Sequence, residues 1–324
     1  MILFVATAAH RYTMACLADE TFGVPLPQCR VTSYERLFAA KTIPTATWIF
    51  TDIDRLLPWE LPVAAEIHRW LRDQGMRCLN DPARVMGRFQ LLRRLHDDGH
   101  NPFNVYRADE RPRPRRFPVF LRNEDDHTAP RPALVPDQRA LDAALAMLAA
   151  AGTSPKGMLV VEFVHAPLAP GLWRKFGTFS VGEGVSVDHA VIEDQWAVKQ
   201  GTVGTATPEM YAEELAAVTE NAFAPALLPV FRTAAIEWGR ADHTTVAGRE
   251  VVWEINTNPD IRPLAAQASP LRDRSLLLAR RRMALLLDAV DTPPGPPVAF
   301  EAGPRLRRLR EAIRHHGPDV LPRP

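Results

Sequence analysis

Apolar and polar side chains alternate with a period of two along residues 251–256, which predicts a strand. Val251, Trp253 and Ile255 fall on one face; Val252, Glu254 and Asn256 fall on the other. Pro259 closes the run, because proline cannot continue an internal ladder. A second such run, residues 240–246, precedes it across Ala247, Gly248 and Arg249. A three-residue loop there sets Asp242 opposite Glu254 on one face, whereas a two-residue loop turns Asp242 away. Upstream, short buried strands (residues 2–6, 47–50 and 76–79) alternate with helical stripes at 12–19 and 62–74, the latter stopping at Gly75. Asp81 and Pro82 read as a helix start, Phe89, Leu92 and Leu95 as its apolar stripe, and Gly99 as its stop. Residues 136–151 predict a helix, 172–180 and 184–192 an antiparallel strand pair. Residues 209–238 predict helix broken around 225–229, and 275–287 an amphipathic helix. The fold class is α/β (α+β).

With 324 residues the chain has room for two or three domains. Its connectors stand out by composition: residues 107–116 hold five arginines and read as a loop, and residues 291–297 read as a proline-rich linker. The basic helix at 305–316 reads as a solvated or partner-facing tail. A formal charge of +1 gives no electrostatic case for nucleic acid or an anionic membrane surface. No apolar run reaches membrane-spanning length, and no basic region precedes residues 2–6 as in a secretory signal, so the cytoplasm is the expected location. Cys16, Cys29 and Cys78 lack metal-type spacing and read as reduced, structural thiols. No G-x-G-x-x-G follows the first strand, so dinucleotide binding has no support. Oligomeric state stays open, a homo-oligomer included.

Chemistry narrows this further. Glu254 and Asn256 lie about 7 Å apart on one strand face, and such oxygen donors suit a hard cation such as Mg²⁺. An opposing Asp242 adds a facing like charge, which a dication relieves. An edge hairpin with a solvated acidic face fits the same spacing. Arg88, near a helix start, is either one of several solvated arginines or a contact for a nucleotide phosphate. A lone strand histidine such as His189 is more often a structural hydrogen-bonder than a substrate contact, and Lys199 follows it at the end of the same section. No Ser/His/Asp or Cys/His constellation is evident.

The motif order resembles the ATP-grasp superfamily, which includes glutathione synthetase, D-Ala–D-Ala ligase and the ribosomal-protein glutamate ligases. Its pattern is matched by Asn80-Asp81-Pro82, by Arg88 with Leu91 and Gly99, and by the run from Phe117 to Arg122. Further on come the run from Val161 to Val164 and that from Glu254 to Pro259, in the same order, so that the likeness spans about residues 1–265. The resemblance implies an ATP-grasp fold. A Rossmann-like pre-ATP-grasp domain would occupy residues 1–80, a small subdomain 81–160, a C-terminal subdomain with the metal site 161–290, and a linker with a basic helix 291–324. It implies phosphate contacts from Arg88 and Arg122, and a hinge at Glu162, Phe163 and Val164 whose backbone meets the adenine edge of ATP. Asp242, Glu254 and Asn256 would be Mg²⁺ ligands. The place of a reaction-centre arginine falls on Gly177, with Arg174 and Lys175 just before it, and Arg262 could reach an anionic substrate. The lid departs from the family, being acidic and glycine-free, with His127 or Arg131 as substitutes or else a solvated loop. The implied reaction is ATP- and Mg²⁺-dependent ligation of a small-molecule or peptide carboxylate to an amine through an acyl phosphate. A small-molecule kinase, or an inactive nucleotide- or partner-binding protein, is the alternative. If Asp242 faces Glu254, Glu254→Gln is expected to leave the nucleotide-free protein at least as stable, whereas a structural salt bridge to a partner such as Arg240 would make the variant less stable.

Overall fold

The computed structural model describes residues 1–125, 130, 133–164, 167–202, 204–267 and 269–316; His127 and Arg131 lie outside these. The first layer contains β1 (Ile2–Ala6), α1 (Ala15–Ala18), β2 (Cys29–Ser33), α2 (Tyr34–Ala39), β3 (Thr42–Thr45), β4 (Thr47–Phe50), α3 (Glu60–Asp73) and β5 (Cys78–Leu79). Four of these strands form a parallel sheet in the order β2-β1-β4-β5. Every residue of β1 is buried, as a parallel strand covered on both faces requires. The helix expected at 12–19 is a 3-10 turn over Ala8–Met14 followed by the short α1.

The second layer contains α4 (Arg88–Asp97), β6 (Val105–Arg107), β7 (Val119–Asn123), α5 (Gln138–Ala150) and β8 (Met158–Glu162), its strands antiparallel in the order β6-β8-β7. Helix α4 begins after Gly87 and not at Asp81, which instead caps a turn by accepting from the Ala83 amide. Leu91, Leu92 and Leu95 are its buried face.

The third layer comprises β9 (Trp173–Val181), β10 (Gly184–Glu193), α6 (Pro208–Glu220), α7 (Ala224–Ala234), β11 (Trp238–Val246), β12 (Arg249–Asn256) and α8 (Pro270–Val290). Its sheet is antiparallel, ordered β10-β9-β11-β12. The helix break expected at 225–229 falls earlier, at Asn221, which takes the left-handed conformation (φ 52°). Pro225 sits in the first turn of α7, where its missing N–H leaves no bond unmade, and Pro229 is accommodated inside the helix.

Residues 291–316, expected as linker and tail, return to the first layer. β13 (Gly295–Ala299) pairs antiparallel with β3, and α9 (Pro304–His316) buries Leu306 in the core that also holds Phe300, Leu37 and Ile67. A two-stranded edge ribbon tolerates the prolines that made this stretch read as linker. Asn80 joins the first layer to the third. Buried, and left-handed at φ 61°, it donates to the carbonyls of Phe50 and Trp238 while its side-chain oxygen accepts from the amides of Glu237 and Trp238. Among the described residues no helix is long and apolar enough to cross a membrane.

Candidate active site

The β11–β12 hairpin turns on two residues, Ala247 and Gly248, both with positive φ (50° and 76°). That turn alone would put Asp242 and Glu254 on opposite faces. A bulge at Trp253 inserts one extra residue into β12, so Val252 pairs with His243 but Glu254 pairs with Asp242. The facing carboxylates expected from sequence therefore arise by a different route from the three-residue loop. Along the same face Arg240 pairs with Asn256, giving a two-by-two patch of Arg240, Asp242, Glu254 and Asn256. β9 lies on the other side of β11, with Gly177 beside Asp242 and Phe179 beside Arg240.

Cations close on both carboxylates. Arg88, from the start of α4, and Arg122, from β7, each donate to Glu254 Oε2 at 2.6 Å. Arg88 also donates to the carbonyls of Asn123 and Glu124. Lys175, from β9, donates to Asp242 Oδ2 at 2.8 Å. Arg240 approaches Asp242 Oδ1 only to 3.5 Å, so its buried Nε makes no hydrogen bond. Burial pushes the Arg122 guanidinium below its ordinary value, against the pull of Glu254. This patch lines a cleft of about 630 Å³ between the second and third sheets, a size suited to a small ligand. Phe120, Phe163 and Trp196 form an aromatic wall in it, with ring centroids 4.9 and 5.2 Å from Trp196. Tyr12 and Arg55 reach the same cleft from the first layer.

The structure separates the expected residues. Asp242, Glu254, Asn256, Arg122, Lys175, Phe163 and Arg262 all line the cleft, Arg262 as an exposed residue paired with Asp260 at 2.9 Å. Arg174 does not. Period two puts it on the opposite face from Lys175, where it pairs with Glu213 and lies over Phe176. The carboxylate of Glu162 is also turned away: it accepts from Tyr106, from the Asn104 amide, and from the amides of Arg115 and Arg116. It thereby fastens the arginine-rich connector. Its own amide and that of Phe163 bond to Asn104 and Pro118, so neither can serve an adenine edge without breaking a backbone bond. Glu162 and Val164 do not line the cleft. Among the described residues no group of three His, Cys, Asp or Glu side chains is placed for a metal ion; the oxygen set here is two carboxylates and one amide. Burial pushes the Cys29 and Cys78 thiols up to about 12, which leaves them inert.

Arg240 and Trp196 were not read as site residues from sequence. The signal for Arg240 was present, since it precedes Asp242 by two on the same strand. A Cβ at Gly177 would lie 3.0 Å from Arg240 Cδ, so the glycine leaves space that this arginine crosses.

No family model matches the chain, and no curated protein sequence matches it. Among solved structures it is similar to D-alanine–D-alanine ligase from Bacillus anthracis, at 13% identity over 88% of this chain and 97% of that one (TM-score 0.45). It is also similar to a RimK domain ATP-grasp protein from Sphaerobacter thermophilus DSM 20745, at 14% identity over 89% and 98% (TM-score 0.46). The ATP-grasp ligase PsnB complexed with minimal precursor is similar at 11% identity over 89% and 98% (TM-score 0.49). At such distances none of them assigns a role to a residue here.

Proposed function

We propose that this protein is an ATP- and Mg²⁺-dependent ligase that joins a small-molecule or peptide carboxylate to an amine through an acyl phosphate. The observation that carries the reading is the charge around the two facing carboxylates. Arg88, Arg122, Lys175 and Arg240 surround Asp242 and Glu254, leaving a surplus of two positive charges on a sheet face roofed by aromatic rings. A magnesium–nucleoside triphosphate complex carries about two negative charges at neutral pH, so it would bring that surplus close to zero.

The donor set fits a hard cation, and Asp242, Glu254 and Asn256 are the residues that would hold Mg²⁺. Bound there, the ion would neutralise charge on the phosphates. In this reading Arg88 and Arg122 exchange Glu254 for phosphate oxygens, where a guanidinium grips two at once. Phe163, Phe120 and Trp196 are placed to cover the base. Lys175 and Arg240 face the reacting carboxylate, with Arg262 at the mouth. The carboxylate attacks the terminal phosphoryl group, and the resulting acyl phosphate gives up phosphate to the amine. Within this proposal the first layer is the Rossmann-like pre-ATP-grasp domain.

One observation favours a second reading, a nucleotide-binding protein without turnover: both carboxylates already have cationic partners. The test is a panel of carboxylates with MgATP and hydroxylamine, which traps acyl phosphates as hydroxamates. A ligase gives carboxylate-dependent ADP and hydroxamate together. ADP without hydroxamate in the presence of a hydroxyl compound indicates a kinase, and a thermal shift with MgATP but no ADP indicates the inactive protein.

A further inference from the structure

Strand β10 carries a bulge of its own. Val187 pairs with Thr178 and His189 with Gly177, so Asp188 is the extra residue, and it and His189 both line the cleft. His189 Nδ1 lies 2.6 Å from Asp188 Oδ2. A carboxylate at Nδ1 fixes the proton there and leaves the lone pair on Nε2, across the ring. Among the described residues none pairs with that nitrogen. We propose that the Asp188–His189 pair is the proton acceptor for the attacking amine; this rests on the ligase reading above.

Position supports the role. His189, Gly177, Asp242 and Glu254 form one row across four strands. Two strand spacings, about 10 Å, separate the backbone of His189 from that of Asp242. Gly177 contributes no side chain between them, and Arg240 lies across the gap. A carbonyl held at Arg240 would have the phosphate-side carboxylates on one flank and the imidazole on the other. Charge is consistent with this. Burial pushes the Asp188 carboxyl up, but His189, and beyond it Arg240 and Arg280, hold it below its ordinary value. Asp188 is thus an ionised carboxylate at Nδ1 of His189. The other charged groups lining this cleft are the cations Arg55, Arg122, Lys175, Lys199, Arg240, Arg262, Arg272 and Arg280 and the anions Asp242, Glu254 and Asp260. Most are cations, and Asp188 is the anion in contact with the imidazole.

The step balances as follows. The neutral amine nitrogen forms a bond to the carbonyl carbon of the acyl phosphate. The bond from that carbon to the bridging oxygen breaks, and phosphate leaves with the electron pair. The proton lost from nitrogen passes to His189 Nε2 and from there to the departing phosphate.

Two measurements test this. In protein labelled with ¹⁵N at histidine, the signal absent from His189→Gln should report the Nδ1–H tautomer. An Nε2–H tautomer overturns the proposal without need of any substrate. In the MgATP carboxylate panel, hydroxylamine is neutral and needs little base assistance, while amino acids supplied as amines need more. His189→Gln should therefore lose amide formation by about 100-fold or more, lose hydroxamate formation by only a few-fold, and recover amide formation with added imidazole. Asp188→Asn should lower amide formation selectively and move the acid limb of its pH profile. Equal loss of hydroxamate and amide, or no loss of either, overturns the proposal while leaving ligation intact. Wild-type protein that makes no hydroxamate with any carboxylate refutes the ligase reading, and the proton acceptor with it.

Discussion

The third layer's two hairpins solve one geometric problem in two ways. Each turns on two residues, and each carries a single bulge in its outer strand. Both bulges fall beside the row of His189, Gly177, Asp242 and Glu254. In β12 the extra residue, Trp253, is apolar and stacks on Phe103 at a centroid distance of 4.8 Å; the bulge serves to return Glu254 to the face of Asp242. In β10 the extra residue is itself polar, so the bulge adds Asp188 to the cleft beside His189. One bulge restores a pairing and the other creates one. An inserted residue re-aims side chains at one point without altering the rest of the ladder, so a sheet edge can be adjusted at a functional row alone.

The largest effect that separates the two edges should come from Glu254→Gln. Facing carboxylates alone predicted a nucleotide-free variant at least as stable as wild type. The structure reverses this, because Glu254 neutralises Arg88 and Arg122, both nearly buried. Removing the charge takes from both guanidiniums the carboxylate they share. Unfolding free energy should fall by about 2–4 kcal/mol, the lower range reflecting partial exposure of the carboxylate. Turnover should fall by at least about 100-fold in the same variant. Saturating ATP without metal should restore most of the lost stability, since phosphate would take over both arginines. A variant whose thermal midpoint ATP does not raise would break the idea that the arginines exchange partners.

Gly177→Ala probes the centre of the row. The new Cβ meets Arg240 Cδ at 3.0 Å, and this flexible stem can move aside. Stability should change by less than about 1 kcal/mol. The KM for the carboxylate substrate should rise about tenfold, a loss of roughly 1.4 kcal/mol, while that for ATP holds. Equal changes in both would show that Arg240 does not favour the carboxylate.

How far the site was legible follows from these residues. The acidic and amide positions of β12 are local and share a face as expected, whereas the bulge at Trp253 breaks period two and puts Val252 with Ile255, on the face opposite Glu254. The pairing of Asp242 with Glu254 was reached through a three-residue loop that does not exist. Loop length and bulge are offsetting one-residue shifts that a pattern of alternation cannot distinguish. The strand of Glu162 is legible but the partners of its carboxylate are not: they are the amides of Asn104, Arg115 and Arg116, far away in sequence. Arg174 and Lys175 could not be separated until the sheet had a defined inner face. The return of β13 and α9 to the first layer was hidden by proline content, which marks an edge ribbon and a linker alike. Strands β2 and β3 were missed because each is short and half exposed, with no sustained alternation.

A smaller effect concerns the end of β10. Glu193 is buried, and it accepts from the amides of Lys199, Gln200 and Gly201 at 3.0, 2.6 and 2.7 Å. It thereby fastens the loop that brings Trp196 and Lys199 to the cleft. Burial pushes its carboxyl up, but the three amides outweigh that and hold it below the ordinary glutamate range. A depressed folded value means the contribution is complete above the unfolded value and is lost as pH falls through the folded one. Glu193→Gln should therefore destabilise by about 1.5–3 kcal/mol at neutral pH. Urea unfolding of both proteins across a pH series should show that difference shrinking below the ordinary glutamate range. A difference independent of pH would mean that shape, and not charge, holds the loop.

The smallest effect lies in the turns themselves. The β9–β10 turn has glycine at its first position, Gly182 with φ 60°, while the β11–β12 turn has Ala247 there, with φ 50°. An L-residue in this region carries a steric cost of roughly 1–2 kcal/mol from its Cβ. Gly removes the cost but adds chain entropy to the unfolded state, roughly 0.5–1 kcal/mol. Asn tolerates the conformation while retaining a side chain, and Asn-Gly is the favoured pair for such turns. Ala247 is exposed, at the far end of the hairpin from Asp242. Ala247→Asn should therefore stabilise by about 0.5–1 kcal/mol, Ala247→Gly by less, and Ala247→Val should destabilise. Substrate turnover should match wild type in all three, because the bulge at Trp253, and not the turn, sets the face of Glu254. A loss of turnover in Ala247→Asn at unchanged stability would show that the turn and the bulge are coupled, and that the register at Glu254 is not fixed by Trp253 alone.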